Sequence, residues 1–215
     1  MNNKQGFTLL EVLLALSVLS VGIMAAFTLS LANLNTARDN YQRIRAANLA
    51  REGLELARNV RDTNWLKIEA NEDCEPLIQC TWDYSLWRDD SGTMYTTSTI
   101  AYDADPIFRN MDIVNCFVTG TCRLYEDDNG FYNHDSGGSP TNMARLINVE
   151  AICFDDSSDG LVITGGDPDC SELTGETGNQ VGLLVTSTVY WEHGNQSHQI
   201  EVTEELYNWR AYVDI

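Results

Sequence analysis

Hydrophobic and polar positions divide this chain into three regimes. From Val12 to Ala32 no residue carries a formal charge, and the polar members are Ser17, Ser20, Thr28 and Ser30. All four are small enough to bond back to a helix carbonyl. These 21 uncharged residues at about 1.5 Å each give roughly 30 Å of helix, the thickness of a hydrocarbon core. From Thr36 to Arg61 the pattern becomes amphipathic: Ala37, Tyr41, Ile44, Ala47, Leu49, Leu54, Leu56, Ala57 and Val60 recur between Arg38, Arg43, Arg45, Arg51, Arg58 and Arg61. Of Glu52 and Glu55, Glu55 stands three residues from Arg58 and four from Arg51, which supports a helix. The first proline is Pro76, so nothing forces a break earlier. Short polar residues across 59–65 predict the end of the helix there.

The third regime is strand-like. Arg145 to Phe154 alternates, Val181 to Trp191 is rich in β-formers, and Ser197 to Tyr207 alternates again. Glu192-His193-Gly194-Asn195-Gln196 between the last two predicts a hairpin turn. Shorter strands are expected at Cys80 to Leu86, Met94 to Tyr102 and Ile113 to Thr119, and a loop from Asn133 to Asn142. The antiparallel pair needs a partner for its apolar face, and the amphipathic helix is the available one. The fold class is therefore α+β: a long N-terminal helix followed by a head whose antiparallel β-sheet packs on it. The expected organisation is a leader at 1–6, a transmembrane helix at 7–34, a spine helix at 35–62 and an acidic, β-rich head at 63–215.

Charge and cysteines place the head. Up to Arg61 there are seven Lys/Arg against four Asp/Glu; from Asp62 onward there are six against 28. A head that acidic repels phosphate backbones, so no nucleic-acid partner is expected. It suits a basic partner, cation binding or simple solubility. All six cysteines (Cys74, Cys80, Cys116, Cys122, Cys153, Cys170) lie beyond the apolar segment. An even count confined to one side of a membrane span reads as three disulfides in an oxidising compartment. Pairing neighbours gives Cys74–Cys80, Cys116–Cys122 and Cys153–Cys170, one of 15 sets.

Little in the head suggests catalysis. His134, His193 and His198 fall in loops or at the hairpin, with no Gly-x-Ser-x-Gly and no metal-type His-x-x-x-His. No enzyme activity and no obligatory cofactor are expected. Asp155-x-Ser157-x-Asp159-Gly160 places oxygen ligands at alternate positions before a glycine, as in a calcium loop. The acid an EF-hand needs twelve residues in is replaced by Gly166. Asp155, Ser157 and Asp159 thus remain candidates for a simpler structural Ca²⁺ site, and Glu126-Asp127-Asp128-Asn129-Gly130 is a second, weaker one.

One charge does not fit the apolar run. Glu11 lies near its start, where an ionised carboxylate costs up to about 2.5–3.5 kcal/mol at a helix centre and less near the end. It reads either as a boundary carboxylate that favours the helix N-terminus or as an assembly contact awaiting a cation. The stretch Gly6-Phe7-Thr8-Leu9-Leu10-Glu11, after a leader holding Lys4 and no acid, resembles the processing motif of type IV prepilins and of the pseudopilins of type II secretion. The resemblance implies cleavage by a prepilin peptidase after Gly6, methylation of the new N-terminal Phe7, and pairing of Glu11 with the N-terminal amine of a neighbouring subunit. It implies assembly with other pilin subunits through the N-terminal helix, anchoring in the inner membrane with the head outside the cytoplasm, and an extracellular filament. The apolar half lacks the proline of many major pilins, and the segments Leu49 to Trp65 and Asn208-Trp209-Arg210 resemble minor-pilin sequences. The expected role is a minor pilin or minor pseudopilin. A major subunit, or a membrane-anchored module binding calcium or another ligand, are the alternatives.

Overall fold

The computed structural model describes residues 8–70, 81–83, 86, 98–100, 107–109, 113–120, 122–134, 136–155, 160–164, 170, 180–194 and 196–208, with backbone alone at 98–100, 107–109, 115, 155 and 164. The chain forms two units, Met1–Ile44 and Arg45–Ile215. Helix α1, Leu9–Ala70, begins in the first and ends in the second. In the first unit the apolar side chains from Leu9 to Leu34 are exposed on every side. A helix apolar all round, with none of its surface covered by protein, suits lipid rather than water.

In the second unit, α1 buries Ala46, Leu49, Ala50, Gly53, Leu54, Ala57, Val60 and Asn64. Steps of three and four residues put these on one face. That face meets an eight-stranded antiparallel sheet: β1 (Ser98–Ile100), β2 (Ile107–Arg109), β3 (Arg123–Glu126), β4 (Tyr132–Asn133), β5 (Ser139–Asp155), β6 (Gly160–Thr164), β7 (Gln180–His193) and β8 (Gln196–Tyr207). β5 is its axis. Along one edge it pairs with β3, then β1, then β6; along the other it pairs with β7, which pairs with β8. Alternation along β5 and β7 sends Ile147, Val149, Ala151, Leu183 and Val185 toward Leu54, Ala57 and Val60. Met143, Val189 and Trp191 close on Ala46, Leu49 and Ala50. The expected packing of the antiparallel pair on the amphipathic helix is what the structure shows. The hairpin turns at Gly194, whose φ of 64° lies in the left-handed region that glycine enters without a steric penalty.

Four local expectations fail. The helix does not stop within 59–65 but at Ala70. Asn64 is buried and its Nδ2 donates to the Trp82 carbonyl at 3.2 Å, while Trp65 and Ile68 pack on the core, so tertiary contacts override the polar composition. Ile113–Thr119 is helix α2 rather than a strand. Its β-branched content misleads: Ile113, Cys116 and Phe117, spaced i, i+3, i+4, lie on Ala144, Leu146 and Tyr190, and Val114 and Val118 face out. α2 thereby covers part of the sheet face opposite α1. Within 80–86, Thr81–Asp83 and Leu86 form a turn, closed by the Leu86 N–H donating to the Asp83 carbonyl at 3.0 Å. Strand structure also enters the expected 133–142 loop, since β4 takes Asn133 and β5 begins at Ser139.

Helix and sheet meet closely at Gly53. A Cβ there would run into Ser187 Oγ and come within 3.3 Å of Arg145 Cδ. Arg145, fully buried, crosses this notch; its Nη1 stands 3.2 Å from Glu52 Oε1 and 3.4 Å from the Leu49 carbonyl. Gly53→Ala gains about 1 kcal/mol of helix propensity but overpacks the notch at a cost of about 1–3 kcal/mol. We expect a net loss in thermal unfolding of the full chain in detergent, relieved by adding Ser187→Gly. Glu52→Gln, which leaves a buried guanidinium short of its anion, should cost about 1–3 kcal/mol. Unchanged stability in both would mean that the notch is loosely packed.

Candidate functional site

The N-terminal end of α1 is built by its own sequence. Thr8 precedes the helix; its hydroxyl accepts from the Glu11 N–H at 3.4 Å, and its carbonyl accepts from Glu11 and Val12 N–H at 3.0 and 3.3 Å. This is the N-cap arrangement of a Thr-x-x-Glu sequence. It places Glu11 in the first turn, where a carboxylate is favoured by the helix dipole. Glu11 shares a shallow, mostly apolar groove with Val12, Ala15, Leu16 and Leu19. Gly6 and Phe7 lie outside the described residues.

Further along, each hydroxyl in the span satisfies itself. Ser17 donates to the Leu14 carbonyl at 2.8 Å, Ser20 to Ser17 at 2.8 Å, Thr28 to Ala25 at 2.9 Å and Ser30 to Ala26 at 2.9 Å. No hydroxyl is left to be stripped of water unpaired, which would cost a few kcal/mol each. With a mean hydropathy of 2.4 over its most apolar 18 residues, the helix is long and apolar enough to cross a membrane.

In the head, Cys116 pairs with Cys122 and Cys153 with Cys170, at Cα separations of 5.4 and 5.7 Å. The first fastens α2 to the start of β3; the second ties the segment at Cys170 to the inner face of β5. Cys74 and Cys80 lie outside the described residues. So do Ser157 and Asp159, while Asp155 ends β5, its backbone paired with Gly160. Among the described residues no three His, Cys, Asp or Glu side chains gather as metal ligands.

The second calcium candidate is occupied by its own backbone. Asp127 Oδ1 accepts from the Phe131 N–H at 2.8 Å and the Asn129 N–H at 2.9 Å. These bonds, that of Phe131 foremost, hold its carboxyl below the usual 3.8. The histidines do not converge: His193 flanks the β7–β8 turn, and His198 stacks on buried Trp191 with ring centroids 5.3 Å apart. His134 follows β4, half-buried.

Two features escaped sequence reasoning. Arg145 sits in an alternating strand where its position matches the inner face, a signal of burial that its charge outweighed. Arg45, at the head's end of the helix, lies with its guanidinium 4.5 Å from the centre of the Tyr132 ring and 3.9 Å from Glu126, a contact no local pattern announces.

Residues 1–27 match the family model described as the prokaryotic N-terminal methylation motif. Neither the comparison with curated proteins nor that with solved structures gives a match. The prepilin-type motif opens a long apolar helix that is followed by an antiparallel head, a pilin-like architecture. Type IV pilin-like proteins are structural subunits rather than enzymes.

Because the folded value of Asp127 is depressed, its contribution is fully present above 3.8 and is lost as the pH falls through the lower folded value. Asp127→Ala should speed amide exchange at Asn129 and Phe131 at neutral pH. The wild-type chain should show that acceleration only in acid below its ordinary carboxylate range.

Proposed function

We propose that this chain is a minor subunit of a type IV pilus or of a type II secretion pseudopilus, inserted in the membrane and built into a filament through α1. The observation that carries the reading is Glu11: a single carboxylate in the first turn of an otherwise uncharged span, behind a prepilin-type motif. A monomeric anchor would gain from it only the modest helix-dipole term, whereas a filament subunit can use it as an ionic contact. In this reading a prepilin peptidase cuts after Gly6, and Phe7 becomes the methylated N-terminus. Its amine then sits at the positive end of its own helix, so a neighbour's Glu11 offsets both charge and dipole. The absence of proline from the apolar half favours the minor over the major role. The disulfides of the head favour its placement outside the cytoplasm, and a Cys74–Cys80 bond would complete the set.

Processing is tested by intact-mass measurement of membrane and sheared fractions. The mature chain should begin at N-methylated Phe7, and Gly6→Val should retain the leader; a mature chain that keeps residues 1–6 would remove the reading. Assembly is tested by Glu11→Val. In apolar surroundings, stranding one partner of an ion pair costs about 3–5 kcal/mol, or at least about a hundredfold in occupancy. The variant should insert normally yet accumulate in the membrane instead of in filaments, with Glu11→Asp between. Wild-type incorporation of Glu11→Val would make the carboxylate a headgroup contact only.

A further inference from the structure

β8 forms an edge of the sheet: it pairs with β7 on one side and with no described strand on the other. Its 12 residues run against Gly182 to His193 one to one, without a bulge. One pair further on, the Asn208 N–H donates to the Val181 carbonyl at 3.0 Å, so the even-numbered residues of β8 bond to β7. In an antiparallel ladder the residues between them turn their N–H and C=O groups the other way. Gln199, Glu201, Thr203 and Glu205 therefore direct a row of backbone donors and acceptors to the open edge. Edges of this length are usually blunted by Lys, Pro or a bulge; β8 has none of them. Its one inward carboxylate, Glu204, is already held by Arg58 at 2.7 Å.

The side chains of the same four residues are exposed on the sheet face turned from α1. Gln199 Nε2 donates to Glu201 at 3.3 Å and the Tyr207 hydroxyl to Glu205, and no described Lys or Arg pairs with either acid. A strand added at this edge would bring its own side chains to about 4.5–5.5 Å from those of Glu201 and Glu205. Lys or Arg is favoured there, and Asp or Glu is not. Pairing two β8 edges about Thr203 would set Glu201 of one against Glu205 of the other, and a net charge of −19 per copy opposes approach in any register. The acids thus guard the edge against a second copy and leave it open to a basic strand.

We propose that β8 takes up an extended segment of a different protein, carrying Lys or Arg at alternate positions, as a further strand of the sheet. Main-chain bonds to residues 199–205 supply the affinity, and Glu201 and Glu205 select the basic segment. The site lies wholly within the head and goes beyond the filament-subunit reading, on which it does not depend.

A fluorescein-labelled peptide of four Lys-Val repeats, titrated with the full-length chain in non-ionic detergent, tests this by anisotropy. The peptide should bind, four Glu-Val repeats should not, and residue-resolved amide exchange should slow at Glu201, Thr203 and Glu205. Glu201→Lys with Glu205→Lys should weaken binding at least about tenfold. Thr203→Pro should abolish it, because the N–H lost there faces away from β7. N-methylating either the Lys or the Val amides of the peptide keeps its charge and removes one of its two rows of donors. One of these peptides should lose binding and the other retain it, a comparison that needs no variant of the chain. Equal behaviour of the two would reduce the contact to charge alone and overturn the added strand. Absence of binding by the Lys-Val peptide would assign the edge to another segment of this chain or to a second copy, and would overturn it as well.

Discussion

The stripe of α1 from Ala46 to Val60 and the inner face of β5, β7 and β8 bury each other, and each is unstable in water without the other. Leu49, Leu54 and Val60 would face solvent on an isolated helix; Ile147, Val149, Leu183 and Val185 would do so on an isolated sheet. A buried leucine of this kind is worth about 2–5 kcal/mol against alanine, so a few such contacts decide whether the head exists. The small residues Ala46, Ala50, Gly53 and Ala57 let the helix backbone approach the sheet. That approach in turn leaves room for one long side chain to lie along the interface, and Arg145 takes it. The arginine reaches a helix carbonyl and a half-exposed carboxylate from the middle of an apolar layer. It fixes where along the helix the sheet sits, which apolar side chains alone do less sharply.

Much of this was legible in the sequence because the patterns are long. An uncharged run, an amphipathic repeat and a hairpin with a glycine at its turn each repeat one physical rule many times over. The failures cluster where a segment is short or its state is decided from outside. Ile113 to Val118 has strand-forming residues, yet the spacing of Ile113, Cys116 and Phe117 matches a helix, and the sheet beneath chose the latter. Asn64 reads as a stop signal until its amide is seen to donate to the Trp82 carbonyl. The N-terminal motif was the most legible part, since it is local: residues 1–27 match the methylation-motif model, whereas the contact of Thr8 with Glu11 within one turn was not read. Arg145 was the least legible, because its partner at Leu49 lies 96 residues away in the chain.

The two ends of α1 solve opposite problems of solvation. In the span the hydroxyls turn back onto the helix, so that nothing polar is offered outward. In the head the helix instead presents charge, and Arg58 joins Glu55 and Glu204 in one cluster at the rim of the sheet. A single helix thus passes from a surface that rejects water to one organised by it, with glutamates and arginines kept to the second part except at Glu11.

The two edges of β5 are occupied very differently. One holds β7 over almost its whole length; the other is divided among β3, β1 and β6, each touching only a few residues. The continuous side carries the frame, and the divided side holds three short clips, each joined to the rest of the chain by its own connection. Lengthening such a connection twofold costs only about 0.6 kcal/mol of closure entropy, and it moves neither the frame nor the other clips. The head is therefore tolerant on one flank and rigid on the other, a mechanical asymmetry that lets its surface be rewritten without disturbing the grip on the helix.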